Sequence, residues 1–198
     1  MNFFKKIFSS GNKEDDEEKK EKEGSVHLPL DDLFVENFIK NEGKFLYATT
    51  QQEINQYVKN ILQENSWENA LCFDKDLEKV LFVLEVNVTN KKENDSIPFF
   101  THCEQLIADN GSILFSSNQI SETKLKDLPI HFVVFAKTSQ IIKNRNEALS
   151  NINIKYKKNI PSNISSVKNY NPNKKSDDFM DYGNNNSKNL YLLLLEDL

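Results

Sequence analysis

Leu106-Ile107-Ala108-Asp109-Asn110-Gly111-Ser112-Ile113-Leu114-Phe115 sets two short apolar runs on either side of Asn110-Gly111. Asn and Gly accept the positive φ of a tight primed turn, so the pattern predicts a β-hairpin. A third run, Phe132-Val133-Val134-Phe135-Ala136, is unbroken and rich in β-branched residues. It reads as a strand buried on both faces, as in the middle of a mixed or parallel sheet. Three strands in a row, ending in small polar residues, predict a sheet centre with hydrogen-bonding groups along its rim.

Outward from this centre, helices and strands alternate. Downstream, a helix is expected from about Gln140 to Lys158, with Ile141, Ile142, Ala148, Leu149, Ile152 and Tyr156 inward and Pro161 as its stop. Asn163–Val167 suits a short strand, and Leu190–Asp197 a last buried one. Upstream, Asp31 or Asp32 is placed to cap a helix with Leu33, Phe34, Phe38 and Ile39 inward, ended by Gly43. Lys44–Ala48 follows as a strand, and Thr50 caps a helix carrying Ile54, Tyr57, Val58, Ile61 and Leu62. Ala70–Phe73 reads as a strand and Asp74 as a cap for Leu77–Leu84, although Val80–Val88 suits a strand equally well. The class is α/β, a mixed sheet with helices on both faces.

With 198 residues, the chain can hold one domain with a real core and tails. Hydrophobic residues make up 38%, low enough to imply that part of the length is solvated. Residues 1–24 supply that part. Phe3, Phe4, Ile7 and Phe8 form a short amphipathic segment suited to docking, and a charged linker runs from Gly11 to Gly24 with no apolar residue to bury. Residues 25–198 form the single domain. The net charge of −5, with both signs mixed, argues against nucleic acid as a partner. No apolar run is long enough to span a bilayer, and the N-terminus lacks the pattern of a signal peptide, so a cytoplasmic location is expected.

The candidate site follows from the strand ends, because open α/β sheets bind ligands outside the carboxyl ends of their strands. Ser116-Ser117-Asn118-Gln119 follows one strand, and Lys137-Thr138-Ser139-Gln140 follows another and opens a helix. Hydroxyls, amides and free N–H groups there suit a small anion such as a carboxylate or phosphate. The same residues also serve as plain helix caps. Adding the turn, the candidate ligand-binding residues are Asn110, Gly111, Ser116, Ser117, Asn118, Ser139 and Gln140. His102 and Cys103 are adjacent on a strand and point to opposite faces, so they do not make a nucleophilic pair. Cys72 and Cys103 read as buried free thiols. The three histidines lack ligand-like companions, and neither a metal nor another cofactor is expected.

Cys103-Glu104-Gln105-Leu106-Ile107-Ala108-Asp109-Asn110-Gly111-Ser112-Ile113, with Ser116–Gln119 and Lys137-Thr138-Ser139-Gln140-Ile141, resembles the LUD-domain family of lactate utilization protein C. The family's Ala-Glu-Thr-Gly-Thr-Ile hairpin corresponds to Ala108–Ile113, its Ser-Gln-Ile-Val segment to Ser139–Ile142, and its closing Gly-loop and leucine-rich strand to Gly183–Asp197. The resemblance covers about Leu28–Leu198. It implies a NagB/RpiA/CoA-transferase-like fold and a place beside two iron–sulfur subunits that oxidise L-lactate to pyruvate. In that arrangement this chain is an accessory or binding subunit, free of a cluster of its own and without autonomous catalysis. Two departures stand out. The family's Gly-Pro-Ser-Arg-Thr-Ala-Asp-Ile-Glu segment is reduced to Pro161-Ser162-Asn163-Ile164-Ser165, and the hairpin acid is Asp109 in place of Glu. The fold likeness also raises two alternatives: an acyl-CoA or small-carboxylate enzyme using Asp109 as nucleophile, and a ligand-sensing domain.

Overall fold

The computed structural model describes residues 28–92, 96–173 and 186–197. The amphipathic segment, the charged linker and Gly183 lie outside the described residues. In chain order the elements are α1 (Leu30–Lys40), β1 (Lys44–Ala48), α2 (Gln51–Asn65), β2 (Asn69–Cys72), α3 (Lys75–Val83), β3 (Asn87–Thr89), β4 (Phe99–His102), β5 (Gln105–Ile107) and β6 (Ser112–Phe115). They continue with α4 (Ser117–Ile120), β7 (His131–Lys137), β8 (Ile141–Ile142), α5 (Arg145–Tyr156), β9 (Ser165–Val167) and β10 (Asn189–Leu195).

Six strands form a sheet in the order β1-β10-β7-β4-β2-β3, and every neighbouring pair is parallel. The two longest apolar runs, in β10 and β7, occupy central positions where both faces are covered, which is why they do not alternate with polar residues. On one face, Ile54, Val58 and Ile61 of α2 and Leu77 and Leu81 of α3 pack on Ala70, Phe100, Val133 and Leu193. The other face is shared by α1, through Phe34, Val35 and Phe38, and by a second sheet of order β8-β5-β6-β9. Helix α5 closes the far side of that second sheet, with Ala148 and Ile152 against Ile107, Leu114 and Ile142. The architecture is α/β.

Several local expectations hold. Thr50 accepts from the Glu53 N–H at 3.2 Å while its own N–H donates to Glu53 Oε2 at 3.1 Å, a complete capping box. Asp74 Oδ1 accepts from the N–H groups of Asp76 and Leu77, so the ambiguous Val80–Val88 stretch resolves into the end of α3 followed by β3.

Others are corrected. The Asn110-Gly111 hairpin exists as β5–β6, but Ile107 pairs with Ser112, so the connection is the four residues 108–111 and not a two-residue primed turn. Only Gly111 of the pair has positive φ, +66°. The hairpin lies in the second sheet, not beside β7, because apolar side chains on both its faces are buried: Leu106 and Ile113 toward the parallel sheet, Ile107 and Leu114 toward α5. The helix expected from Gln140 starts at Arg145, where Asn144 Oδ1 accepts from the Glu147 N–H at 3.0 Å. The β-branched pair Ile141-Ile142 instead forms β8, parallel to β5, after a single 3-10 turn at Thr138–Gln140. Pro29, not Asp31 or Asp32, stands at the N-cap of α1, and the two aspartates occupy its first turn, where their charge suits the helix dipole. Ile39 is 45% exposed, and Val35 takes the buried position.

Candidate functional site

Strands β10, β7 and β4 end side by side at Leu195, Lys137 and His102. Helices α2 and α3 both begin at this same edge, each directly after its preceding parallel strand. Where they diverge they leave a crevice of about 500 Å³. Phe135, Leu193 and Leu195 line it from the sheet, and Ile54, Leu77 and Val80 from the helices. His102, Lys137 and Gln140 bring polar groups to its rim. His102 is not free to turn: Nδ1 lies 2.9 Å from Asp74 Oδ2, while the other oxygen of Asp74 caps α3. Burial alone would raise the Asp74 carboxyl, but the Leu77 N–H, His102 and the Asp76 N–H outweigh it and hold it below the ordinary carboxylate range.

A second polar centre lies on the other side of the same edge. Glu104, whose side chain is 1% exposed, leads into β5. Its Oε1 accepts from Ser116 Oγ at 2.6 Å, Asn118 Nδ2 at 3.0 Å and Gln119 Nε2 at 3.0 Å. Its Oε2 accepts from the Tyr156 hydroxyl at 3.0 Å and lies 3.6 Å from Lys155 Nζ. Burial raises the Glu104 carboxyl. The hydrogen bonds from Ser116, Gln119, Asn118 and Tyr156 together overcome that and set it below its usual value. The carboxylate thus ties α4 and α5 to the start of β5. Saturated with donors and shielded from solvent, it is built to hold these elements together.

The residues expected at a ligand site divide into groups. Ser116 and Asn118 meet at Glu104, and Ser117 donates its backbone N–H to the Ser162 carbonyl at 2.9 Å. Gln140 Nε2 donates to the Cys103 carbonyl at 2.8 Å and the Glu104 carbonyl at 3.2 Å, linking this centre to the crevice rim. Ser139 is clamped by Asp197, through its N–H at 2.9 Å and its hydroxyl at 2.8 Å. Asn110 and Gly111 are not brought to this edge. They sit at the opposite end of the hairpin against α1, where the Asn110 carbonyl accepts from Asn41 Nδ2 at 2.8 Å and the Gly111 carbonyl from the Tyr170 hydroxyl at 2.7 Å. Asp109 is exposed on that same turn, and its N–H donates to the Lys143 carbonyl at 3.0 Å. Sequence reasoning missed the Asp74–His102 pair and the role of Glu104. The one local signal was an acid directly after a Cys and before an apolar run.

A family model described as LUD domain matches residues 32–195 of this chain. Among solved structures, the chain is similar to the crystal structure of a DUF162 family protein from Deinococcus radiodurans. The TM-score is 0.55 at 9% identity, covering 85% of this chain and 96% of that one. At that identity the likeness speaks for the fold alone. No curated protein matches the chain.

Proposed function

This chain belongs to the LUD-domain family, and from that premise we propose that it is a cytoplasmic binding subunit without catalysis of its own, resembling the C subunit of an L-lactate utilization complex. The observation that carries this reading is the crevice at the carboxyl edge of the parallel sheet. α/β folds hold small ligands at such an edge, and pockets of a few hundred cubic ångströms with a few polar groups are the usual form of such sites. The rim offers an oriented imidazole and a lysine to a small anion. Redox chemistry falls to iron–sulfur partner subunits in this reading. Cys72 and Cys103 are buried in the cores on opposite faces of the parallel sheet and do not form a ligand set together.

The test is capture of the full-length chain, tagged at its native level, followed by mass spectrometry and absorption spectroscopy of what comes with it. A partner carrying an iron–sulfur chromophore is expected, and recovery of the chain alone would count against the reading. In parallel, thermal unfolding with L-lactate, pyruvate, phosphate and nucleotides should show a raised midpoint for at least one small anion, since ligands of the folded state stabilise it by mass action.

A further inference from the structure

We propose that the apolar crevice between α2 and α3 is a docking site for the chain's own N-terminal segment, with Phe3, Phe4, Ile7 and Phe8 seated against Ile54, Leu77, Val80 and Val83. This goes beyond the small-anion reading and does not rest on it. An anion held by His102 and Lys137 uses the rim, and the apolar walls between the two helices are left to another occupant.

The walls define what fits. Ile54 comes from α2, Leu77, Val80 and Val83 come from α3, and Phe135 and Leu193 form the base. Val83 is 76% exposed, an aliphatic side chain left open on the edge of an apolar groove. A groove of this kind receives the apolar face of an amphipathic segment. Charge adds little, because Asp76 at the rim is offset by Lys79, 2.8 Å away, and by Lys137. Apolar area therefore holds the occupant.

The chain carries a matching segment at the right distance. At helical spacing Phe3, Phe4, Ile7 and Phe8 share one side, with Lys5 and Lys6 on its two flanks. Residues 9–27, 19 in all, join it to Leu28, the first described residue. The described chain starts at the edge where the crevice opens. Phe38 of α1 packs on Phe45 of β1, with centroids 6.4 Å apart, and residues 41–43 turn the chain from one element directly into the other. Helix α1 therefore runs back against β1 and begins at the carboxyl edge of the sheet. Tyr47, near the end of β1, registers the same placement: burial, a hydrogen bond with Glu196 and the charges of Glu196, Asp31 and Glu53 push its hydroxyl up. Asp31 opens α1, Glu53 opens α2 and Glu196 follows β10, while their neighbours Gln51 and Leu195 line the crevice. From strand spacing and layer separation, the crevice is about 20 Å from the start of α1. A flexible linker of 19 residues spans about 25 Å on average. Such a match gives a local concentration on the order of 1 mM, so a peptide affinity of about 0.1 mM suffices for about nine-tenths occupancy.

Methyl NMR spectra of the full-length chain test this. Phe4→Ser/Phe8→Ser should shift the methyls of Ile54, Leu77 and Val80 and leave those of Ile107 and Ile152, in the separate core under α5, unchanged. The difference should survive about tenfold dilution, as docking within one chain requires. A difference that fades on dilution would assign the crevice to a second copy and overturn the proposal. A peptide of residues 1–10, capped at both ends and added to that variant, should return the crevice methyls to their wild-type positions with an affinity of about 0.1 mM. It should do so in about 0.5 M salt as well, where exposed ion pairs are screened. Val83→Glu should weaken the peptide about tenfold or more by setting a charge against apolar side chains. Phe82→Glu, on the same helix but off the crevice and 79% exposed, should leave it unchanged. Both positions are exposed, so neither change disturbs the core. Unshifted crevice methyls in Phe4→Ser/Phe8→Ser, no peptide binding, or equal effects of Val83→Glu and Phe82→Glu overturns the proposal. Absence of stabilisation by any small anion would count against the ligand reading above and leave this inference standing.

Discussion

The Ser116 hydroxyl donates to Glu104 Oε1 across 2.6 Å, and both residues are buried at the seam between the second sheet and the short helix α4. Ser116 Oγ also accepts from the Asn118 N–H at 3.2 Å, so one hydroxyl caps α4 and anchors the carboxylate. Replacing Ser116 by Ala removes both functions and should lower stability by about 1.5–3 kcal/mol, as for a lost cap together with a charge-assisted hydrogen bond. Glu104→Gln keeps the shape but turns an amide NH₂ toward a cluster of donors, for an expected loss of about 2–3 kcal/mol. Chemical denaturation of the two single variants and the double variant measures this. The double variant should be less destabilised than the sum, because the residues share one network. Strict additivity would mean the network does not act as a unit.

The same carboxylate sets a pH dependence with a definite sign. Its folded value lies below the ordinary 4.5, so the folded state binds its proton less readily than the unfolded chain. The stabilisation is therefore fully present above about pH 4.5 and is lost as pH falls through the folded value. Asp74 and Asp197 are depressed as well and lose stability in the same direction, so the wild-type curve alone does not isolate Glu104. The difference in unfolding free energy between wild type and Glu104→Gln should be constant from pH 6 to 8 and shrink toward acid. A difference that stays flat down to acid would contradict the assignment.

Phe38 is gripped from two sides by glycine. A Cβ at Gly43 would run into the Phe38 ring, and a Cβ at Gly111 would lie 2.5 Å from the backbone of Asn37 and Phe38, at a φ of +66° that side chains resist. The ring itself packs against Phe34 and Tyr170, with centroids 5.6 and 4.5 Å away. Gly111→Ala should cost about 2–4 kcal/mol, because neither the helix backbone nor the turn can yield cheaply. Gly43→Ala should cost about 1–3 kcal/mol through overpacking. Phe38→Leu should relieve most of that second cost and almost none of the first, a contrast that a pair of double-mutant cycles reads directly.

These residues also show which parts of the fold the sequence carries. The capping box of Thr50 and Glu53, the cap at Asp74 and the unbroken runs of β7 and β10 depend on neighbours within a few positions, and each is readable from its own segment. Ile141-Ile142 is different. With Ala148 and Ile152 following at helical spacing the pair resembles the start of a helix, and only pairing with β5, some 35 residues away, makes it a strand. The site shows the same division. Asn110-Gly111 correctly announced a hairpin, but its carbonyls are taken by Asn41 and Tyr170, from segments far away in the chain. Glu104 gathers donors from 116–119 and from 155–156, and His102 meets Asp74 across 28 positions, so neither centre leaves a local pattern. Ser116 and Asn118 are legible from the sequence as polar groups beside a strand end. What they gather around is an acid set in an apolar segment.

The two thiols report on whether this packing holds in solution. Cys72 is 5% exposed, and burial foremost pushes its thiol up to about 11. Cys103 is 4% exposed, and burial followed by the Glu104 charge drives its thiol further still. The thiolate is the reacting form, so both should resist an aromatic disulfide reagent at pH 8 in the native protein and titrate as two equivalents in denaturant. Cys103 lies on the same short segment as Glu104, whereas Cys72 sits in the core on the opposite face of the parallel sheet. Glu104→Gln should therefore accelerate labelling of Cys103 by local opening well beyond any change at Cys72, with peptide mapping to tell them apart. One equivalent reacting at once in the wild-type chain, or equal acceleration of both thiols in the variant, would show that the Glu104 network does not hold this edge closed.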